Sequence, residues 1–234
     1  MNTNKENSSL NKDIVYDMTP FSHLDYPDHL SCIVWLVGCN MRCDYCYNKD
    51  IVLSKKGILS FENILFFLEK RVGLLDAVVL SGGEATNHTL VEFCTKVKQL
   101  GFKIKLDTNR VNFGAIQELV ELNLLDYIAL DYKAPEYKFS QITHSNNFKS
   151  FTNTLEYLIK NDMRFEVRTT VHNDLLDEND INYIINDLER RGYKNSYFLQ
   201  NFLETEENIS NISQSKKTFD QSLLCDKLNL IYRY

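Results

Sequence analysis

The sequence predicts an α/β protein, an open partial (βα)6 barrel of the TIM type, on two observations. From about residue 30, strand-sized runs rich in β-branched and aromatic residues alternate with longer segments whose apolar residues recur at helical spacing. Because this alternation repeats along the chain, it favours a parallel sheet with crossover helices. Six strands are too few for a closed eight-stranded barrel, so we expect an open one. A flat doubly wound sheet is the alternative.

The predicted strands occupy residues 30–38, 76–83, 102–109, 126–135, 164–172 and 196–203. The helices between them carry an apolar stripe, which in the first of them consists of Phe61, Ile64, Leu65 and Leu68. Residues 206–216 are polar and poor in predicted structure. Residues 223–232 are expected to form a terminal helix or an edge segment.

Composition and charge exclude several classes of function. The chain of 234 residues is 44% hydrophobic, enough for a substantial core, and we expect a single domain over residues 18–234 behind a flexible tail of residues 1–17. The net charge is −6 without a run of Lys or Arg, so neither nucleic acid nor an anionic membrane surface is favoured as a partner. Since no apolar stretch approaches the ~20 residues of a membrane span and no secretory signal is evident, we expect a cytoplasmic protein with reduced cysteines.

Polar side chains gather at the end of the predicted strands that follow the first. They are Ser81 to Glu84, Asp107 to Asn109, Asp131 to Lys133, Arg168 to Thr170 with His172, and Gln200 with Asn201. In α/β barrels the functional face is the one at the carboxyl ends of the strands. Barrel strands are usually apolar to their last residue, so the sequence predicts one polar site here. The alternative is that the strands simply end in polar loops.

Three cysteines, Cys39, Cys43 and Cys46, follow the first predicted strand in the segment CNMRCDYC. Thiolates suit zinc, copper(I) or iron–sulfur clusters. A closed zinc site needs a fourth ligand, for which His23 and His88 are near in sequence but not at a finger spacing. A ferredoxin would supply four cysteines to each cluster. The remaining option is a [4Fe–4S] cluster with three irons on thiolates and one iron open to a substrate or cofactor.

The spacing Cys-x3-Cys-x2-Cys, with Tyr45 before the last cysteine, resembles the signature of radical S-adenosyl-L-methionine (SAM) enzymes. The stretch SGGE at residues 81–84 resembles their Gly-Gly-Glu motif. From Thr19 to Phe202, the stretches TPFSHLDYP, GCNMRCDYCYN, EKRVGLLDAVVLSGGEAT, KLDTN, ALDYKAP and FEVRTTVH are similar to anaerobic ribonucleoside-triphosphate reductase activating proteins. That family is related to the pyruvate formate-lyase activating enzyme.

The resemblance implies the radical SAM core fold and a radical SAM oxidoreductase with a [4Fe–4S] cluster and SAM as cofactors. It implies reductive cleavage of SAM and a glycyl radical made on a partner enzyme, here anaerobic ribonucleoside-triphosphate reductase. A flavodoxin or a ferredoxin-type protein would donate the electron. One alternative is a radical SAM enzyme acting on a small molecule, for example in deazapurine synthesis. Another is a non-catalytic metal-binding module or electron carrier.

The resemblance also implies roles for individual residues. The three cysteines ligate the cluster and are thus both metal ligands and catalytic groups, and Tyr45 lies against the adenine. Glu84, with the backbone of Gly82 and Gly83, receives the SAM ammonium. The other residues expected to bind the cofactor are Asp107, Thr108, Asp131, Lys133, Arg168, His172 and Gln200. The chain departs from the family at Tyr47, Ala85 and Arg110, where histidine, proline and glycine are usual.

Overall fold

The computed structural model describes residues 9–205 and 207–233 of the chain. The chain divides into two compact units, each assembled from separate segments. The first unit comprises residues 1–39, 50–108 and 114–128, and the second comprises residues 40–49, 109–113 and 129–234. The single domain expected over residues 18–234 stays a prediction.

The first unit holds the amino-terminal strands and the helices between them. Its strands are β1 (Asp13–Ser22), β2 (Ser31–Leu36), β3 (Leu59–Ser60), β4 (Ala77–Gly82), β5 (Lys103–Thr108) and the beginning of β6 (Tyr127–Asp131). Its helices are α1 (Lys49–Leu53), α2 (Phe61–Glu69), α3 (Val91–Gln99) and α4 (Phe113–Glu121), although the first residue of α1 and of α4 belongs to the second unit. The strand order is β3-β1-β2-β4-β5-β6. Strand β1 runs antiparallel to both of its neighbours, whereas β2, β4 and β5 are parallel.

The second unit holds the end of β6 and the rest of the regular structure. Its helices are α5 (Glu136–Thr143), α6 (Phe148–Lys160) and α7 (Glu178–Arg190), and its further strands are β7 (Phe165–Val171), β8 (Tyr197–Asn201) and β9 (Leu230–Arg233). The strand order is β6-β7-β8-β9, in which β7, β8 and β9 are parallel. Among the described residues, no helix is long and apolar enough to cross a bilayer.

Apolar strand residues and stacked rings form the core of each unit. In the first, Val78 of β4 is fully buried, and the rings of Phe61 and Phe93 stack 4.1 Å apart between α2 and α3. In the second, Tyr132 and Phe151 pack edge to face at 4.5 Å. Helix caps fix where two helices begin: the side chains of Ser60 at α2 and Asp177 at α7 each accept a backbone N–H of the first helical turn.

The six strands expected from the sequence coincide with β2, β4, β5, β6, β7 and β8. The expected flexible tail is wrong from Asp13 onward, because residues 13–17 belong to β1 and Val15 is fully buried. Hydrogen bonding to β2 over most of its length stabilises this strand. Residues 1–8 of that tail lie outside the described residues. The carboxyl-terminal edge segment is strand β9, preceded by a single 3-10 turn at Gln221–Leu223.

Candidate functional site

The three clustered cysteines are divided between the two units. Cys39 closely follows β2 in the first unit, and Cys43 and Cys46 lie in a turn of the second, where the Cys46 N–H donates to the Cys43 carbonyl at 3.0 Å. No disulfide involves any of the six cysteines. Within residues 9–205 and 207–233, no three His, Cys, Asp or Glu side chains stand together as a metal site. Three soft thiol donors fit an iron–sulfur cluster by their chemistry, and the ligand set stays a prediction.

Burial raises the pKa of the Cys46 thiol, an effect that Lys133 opposes. Since the thiolate rather than the thiol ligates a metal, a metal bound at Cys46 must displace its proton. Metal uptake through this side chain is therefore expected to become easier as the pH rises.

Two glycines let the end of β4 approach the end of β2 closely. A Cβ at Gly82 would lie 2.5 Å from the Leu36 backbone nitrogen, and one at Gly83 would lie 1.9 Å from the Gly38 carbonyl oxygen. Gly82 also has a φ of +110°, which disfavours other residues. The N–H of Gly83 donates to the Leu36 carbonyl at 2.9 Å. The Gly-Gly pair is thus required by the backbone contact itself.

Glu84 follows these glycines and its carboxylate is fixed by neutral donors. Its Oε1 accepts from the hydroxyl of Thr86 at 2.6 Å, from the Thr86 N–H at 3.2 Å and from the hydroxyl of Thr108 at 2.7 Å. The side chain is 1% exposed. Thr108, expected to bind the cofactor, therefore contacts Glu84. No cation is among these three donors, so they orient the carboxylate without neutralising its charge.

Asp107 is paired with Lys105, a residue that was not predicted from the sequence. The Lys105 Nζ lies 2.8 Å from Asp107 Oδ1, and the Ser81 hydroxyl donates to Oδ2 at 3.2 Å. Lys105 also donates to the Asp25 carbonyl at 2.6 Å and is almost fully buried. Residues two apart on a strand point to the same side, so the K-x-D spacing of β5 was the signal that could have revealed this pair.

In the second unit, Asp131 lies between two cations. Its Oδ2 is 2.9 Å from Lys133 Nζ, and its Oδ1 accepts from Arg168 Nε at 2.5 Å. Burial raises the pKa of Asp131. Arg168 and Lys133 lower it by a larger amount, so the pKa of Asp131 is well below the usual range. Burial lowers the pKa of Lys133, but Asp131 raises it above the usual range. The triad thus carries one net positive charge.

Tyr45 connects the cysteine turn to this triad. Its hydroxyl donates to the Lys133 carbonyl at 3.4 Å, and the Lys133 Nζ lies 5.9 Å from the centre of its ring. The residue is 4% exposed, and burial raises the pKa of its hydroxyl. Four residues of the second unit that the sequence singled out are therefore in contact: Tyr45, Asp131, Lys133 and Arg168.

His172 lies apart from that group. Its Nε2 is 2.8 Å from the Ser213 carbonyl, and it lines a cavity of about 380 Å³ together with Val171 and Leu199. Strand alternation puts Val171 and Leu199 on the face of the sheet opposite Arg168, and puts Gln200 on the face of Arg168 through its pairing with Thr170. A cofactor role for His172 and for Gln200 stays a prediction.

Arg110, like Lys105, is a buried cation that was not predicted as a site residue. It is fully buried, with a φ of +66° that favours glycine, the residue usual in the family at this position. Its guanidinium lies 3.7 Å from the ring centre of Phe151, and its carbonyl accepts from the Thr154 hydroxyl at 2.9 Å. Burial lowers the pKa of Arg110 to about 9, and Asp131 opposes the shift. The presence of arginine where the family usually has glycine was the sequence feature that could have indicated this unusual residue.

Known proteins similar to this chain agree with the site chemistry. The model of the Radical SAM superfamily matches residues 33–188. A protein of Methanocaldococcus jannaschii with the provisional name glycyl-radical enzyme activating enzyme is 33% identical over 177 residues, which is 73% of each chain. The pyruvate formate-lyase-activating enzyme of Streptococcus mutans is 28% identical over 51% of this chain and 50% of its own. The GTP 3′,8-cyclase of a Synechocystis strain is 27% identical over 75% of this chain and 59% of its own.

Two solved structures resemble the fold. Streptococcus suis SuiB bound to S-adenosylmethionine superposes with a TM-score of 0.66 at 11% identity, covering 85% of this chain and 48% of SuiB. The protein anSMEcpe with bound AdoMet gives a TM-score of 0.59 at 19% identity, covering 71% of this chain and 49% of that one. This chain thus spans about half the length of these structures. At such identities the likeness shows the fold alone, and the expected α/β core is confirmed.

Proposed function

We propose, on the premise that this chain belongs to the radical SAM superfamily, that it activates a glycyl-radical enzyme. The superfamily model covers two thirds of the chain, and the resemblance inferred from the cysteine and Gly-Gly-Glu motifs is confirmed. Membership makes the protein a radical SAM enzyme and implies a [4Fe–4S] cluster and SAM as its cofactors. Activation of a glycyl-radical enzyme is a more specific function than superfamily membership and is the proposal made here.

One observation carries that proposal: the M. jannaschii relative matches 73% of both chains and is named for activating glycyl-radical enzymes. The pyruvate formate-lyase-activating enzyme of S. mutans supports the same class of partner. The stretches KLDTN and ALDYKAP favour anaerobic ribonucleoside-triphosphate reductase as the partner. A flavodoxin or a ferredoxin-type protein is the proposed electron donor, and the cytoplasm, where thiols stay reduced, is the proposed location.

The proposed site assigns each residue a task that its contacts support. Cys39, Cys43 and Cys46 would hold the cluster, which when bound supplies the electron for reductive cleavage of SAM. Glu84, oriented by hydroxyl and amide donors, has the charge to accept an ammonium group.

The positive triad of Asp131, Lys133 and Arg168 suits a carboxylate or the ribose hydroxyls. The buried ring of Tyr45 offers a flat surface for the adenine. Asp107 and Thr108 are also proposed to bind SAM, the latter through its bond to Glu84.

A glycyl radical detected by electron paramagnetic resonance tests this function. Anaerobically reconstituted and reduced protein, mixed with SAM and the candidate reductase, should give the radical signal on the reductase. Protein with Cys43→Ala should give none, while Cys225→Ala, which changes a cysteine outside the motif, should match the wild type. A competent cluster that cleaves SAM but never yields the radical on any glycyl-radical partner would contradict the proposal.

A second function, radical chemistry on a small molecule, is favoured by one observation: the GTP 3′,8-cyclase relative covers 75% of this chain. Deazapurine synthesis is one example of such chemistry. Turnover of SAM that depends on an added small molecule, without any partner protein, would support this second function over the first.

A further inference from the structure

The turn that carries Cys43 and Cys46 has little structure of its own. Residues 40–48 contain no helix or strand, and the bond from the Cys46 N–H to the Cys43 carbonyl is internal to it. Backbone groups of a partly buried loop need partners. The conformation of this turn therefore depends on hydrogen bonds to neighbouring segments of the second unit.

Helix α5 supplies one side of that support. The N–H of Asp44 donates to the Ile142 carbonyl at 3.0 Å, and the N–H of Arg42 donates to the Thr143 carbonyl at 2.9 Å. Carbonyls in the last turn of a helix have no partner within the helix, so they are available to the loop. His144, the residue after the helix, places its Nε2 2.8 Å from Asp44 Oδ1.

A tight turn near the carboxyl terminus, residues 208–212, supplies the other side. The N–H of Ile209 donates to the Cys46 carbonyl at 3.1 Å, and the N–H of Ser210 donates to the Asp44 carbonyl at 3.3 Å. The Ser210 hydroxyl donates to Asp44 Oδ1 at 2.6 Å. The carbonyls of two residues in the Cys43–Cys46 segment are thus held by a segment about 165 positions further along the chain.

Asn208 makes the 208–212 turn rigid. Its side-chain oxygen accepts from the Ile212 N–H at 2.9 Å, its amide nitrogen donates to the Ile212 carbonyl at 2.7 Å, and the residue is 2% exposed. A buried amide that satisfies both backbone groups of one residue closes the turn. The donors of Ile209 and Ser210 are therefore presented in a fixed geometry.

We propose that the 208–212 turn is a positioning element for the cluster, and that Ser210, acting through Asp44, holds Cys43 and Cys46 in the conformation that retains iron. This inference rests on the proposed function, because it takes these cysteines as cluster ligands. Groups that hydrogen-bond around metal ligands orient them and tune the metal. Ser210 and Asn208 touch neither the cluster nor SAM in this scheme and are positioning residues.

The test compares Ser210→Ala and Ser210→Thr with Ser213→Ala, which removes a hydroxyl next to the turn that takes no part in the hydrogen bonds described above. After anaerobic reconstitution, iron and sulfide per chain and the rate of iron transfer to a chelator are measured. Loss of a group behind the metal ligands costs about 10-fold or more in metal affinity, so Ser210→Ala should release iron about 10-fold faster. Ser210→Thr and Ser213→Ala should release it at the wild-type rate.

Two further measurements separate positioning from general stability. The apoproteins should unfold at the same temperature, and the cluster of Ser210→Ala should show an altered paramagnetic resonance spectrum when SAM is added. Equal iron release from Ser210→Ala and wild type would overturn the inference, as would an apoprotein that unfolds several degrees earlier. Wild-type protein that takes up no cysteine-bound iron would instead overturn the proposed function.

Discussion

Glu84 of the first unit and Asp131 of the second are carboxylates near the ends of strands, and the two are held by different kinds of donor. Glu84 in the first unit is bound by hydroxyl and amide donors of Thr86 and Thr108. Asp131 in the second is bound by the cations Lys133 and Arg168. Hydroxyl and amide donors orient a carboxylate without adding charge, whereas two cations outweigh the single charge of the carboxylate between them. Carboxylates at similar places in the two units are thus held by groups of different charge.

Removing the charge of Asp131 should produce the largest effect. Asp131→Asn removes the carboxylate that pairs with Lys133 and Arg168, whose side chains are only 18% and 15% exposed. Breaking such a largely buried ion pair is expected to cost up to about 3–5 kcal/mol in the free energy of unfolding. Urea unfolding of the variant, with the exposed Asp226→Asn as control, measures it. Replacing Arg168 by Met in addition should recover part of the loss. Equal stability of the single variant and the wild type would show that the triad is not a charged unit.

Glu84→Gln tests whether the charge of the first unit's carboxylate is needed for SAM binding. Glutamine keeps an oxygen for Thr86 and Thr108 but loses the negative charge, so the fold should persist while SAM binding weakens. A hydrogen bond to a charged group contributes about 1.5–3 kcal/mol, equivalent to roughly a 10- to 150-fold rise in the Kd for SAM. Equilibrium dialysis measures the Kd, with Glu62→Gln on the surface of α2 as the matched control. An unchanged Kd would remove Glu84 from the site.

The pH dependence of stability should differ between wild type and Asp131→Asn. The folded-state pKa of Asp131 is depressed, with burial raising it and Arg168 and Lys133 lowering it more. Its stabilisation is therefore complete above the unfolded pKa of about 3.9 and is lost as the pH falls towards the folded pKa. The difference in urea midpoint between the two proteins should shrink from pH 6 to pH 3. A constant difference would contradict the assigned ion pairs.

The smallest effect is expected from Thr108→Val. The change removes one of the donors to Glu84 Oε1 and leaves those of Thr86. A single hydrogen bond contributes about 0.5–1.5 kcal/mol, so the Kd for SAM should rise roughly two- to tenfold. Thr108→Ser, which keeps the hydroxyl, should bind SAM as the wild type does. Identical affinities for valine and serine variants would show that Thr108 does not orient Glu84.

Sequence patterns predicted most of the strands because these rest on short-range spacing. Asp131, Lys133 and Arg168 were each expected in the site, but their ion pairs were not predicted, and Arg168 lies 37 positions from Asp131. Lys105 and Asp107 lie two residues apart on β5, yet their pair was missed as well, since a buried lysine is rare and its second partner is the Asp25 carbonyl, 80 positions away.

Strand β1, the conformation of Arg110 and the bond between Ser210 and Asp44 could not be predicted from local sequence patterns. Strand β1 contains two register shifts in its pairing with β2, so its residues do not show a clean alternation. The positive φ of Arg110 and its packing on Phe151 depend on contacts from helix α6. The bond between Ser210 and Asp44 joins positions 166 residues apart, a distance at which local pattern carries no information.

The contact between Gly83 and Gly38 has a consequence for how the first unit tolerates change. Gly38 directly precedes Cys39, and its carbonyl accepts the N–H of Glu84 at 2.8 Å. The backbone that carries Cys39 and the backbone that carries Glu84 are therefore joined directly by a peptide hydrogen bond. Repacking of the surrounding core can alter many rotamers and still preserve this spacing, whereas a single methyl group at residue 83 would force it apart.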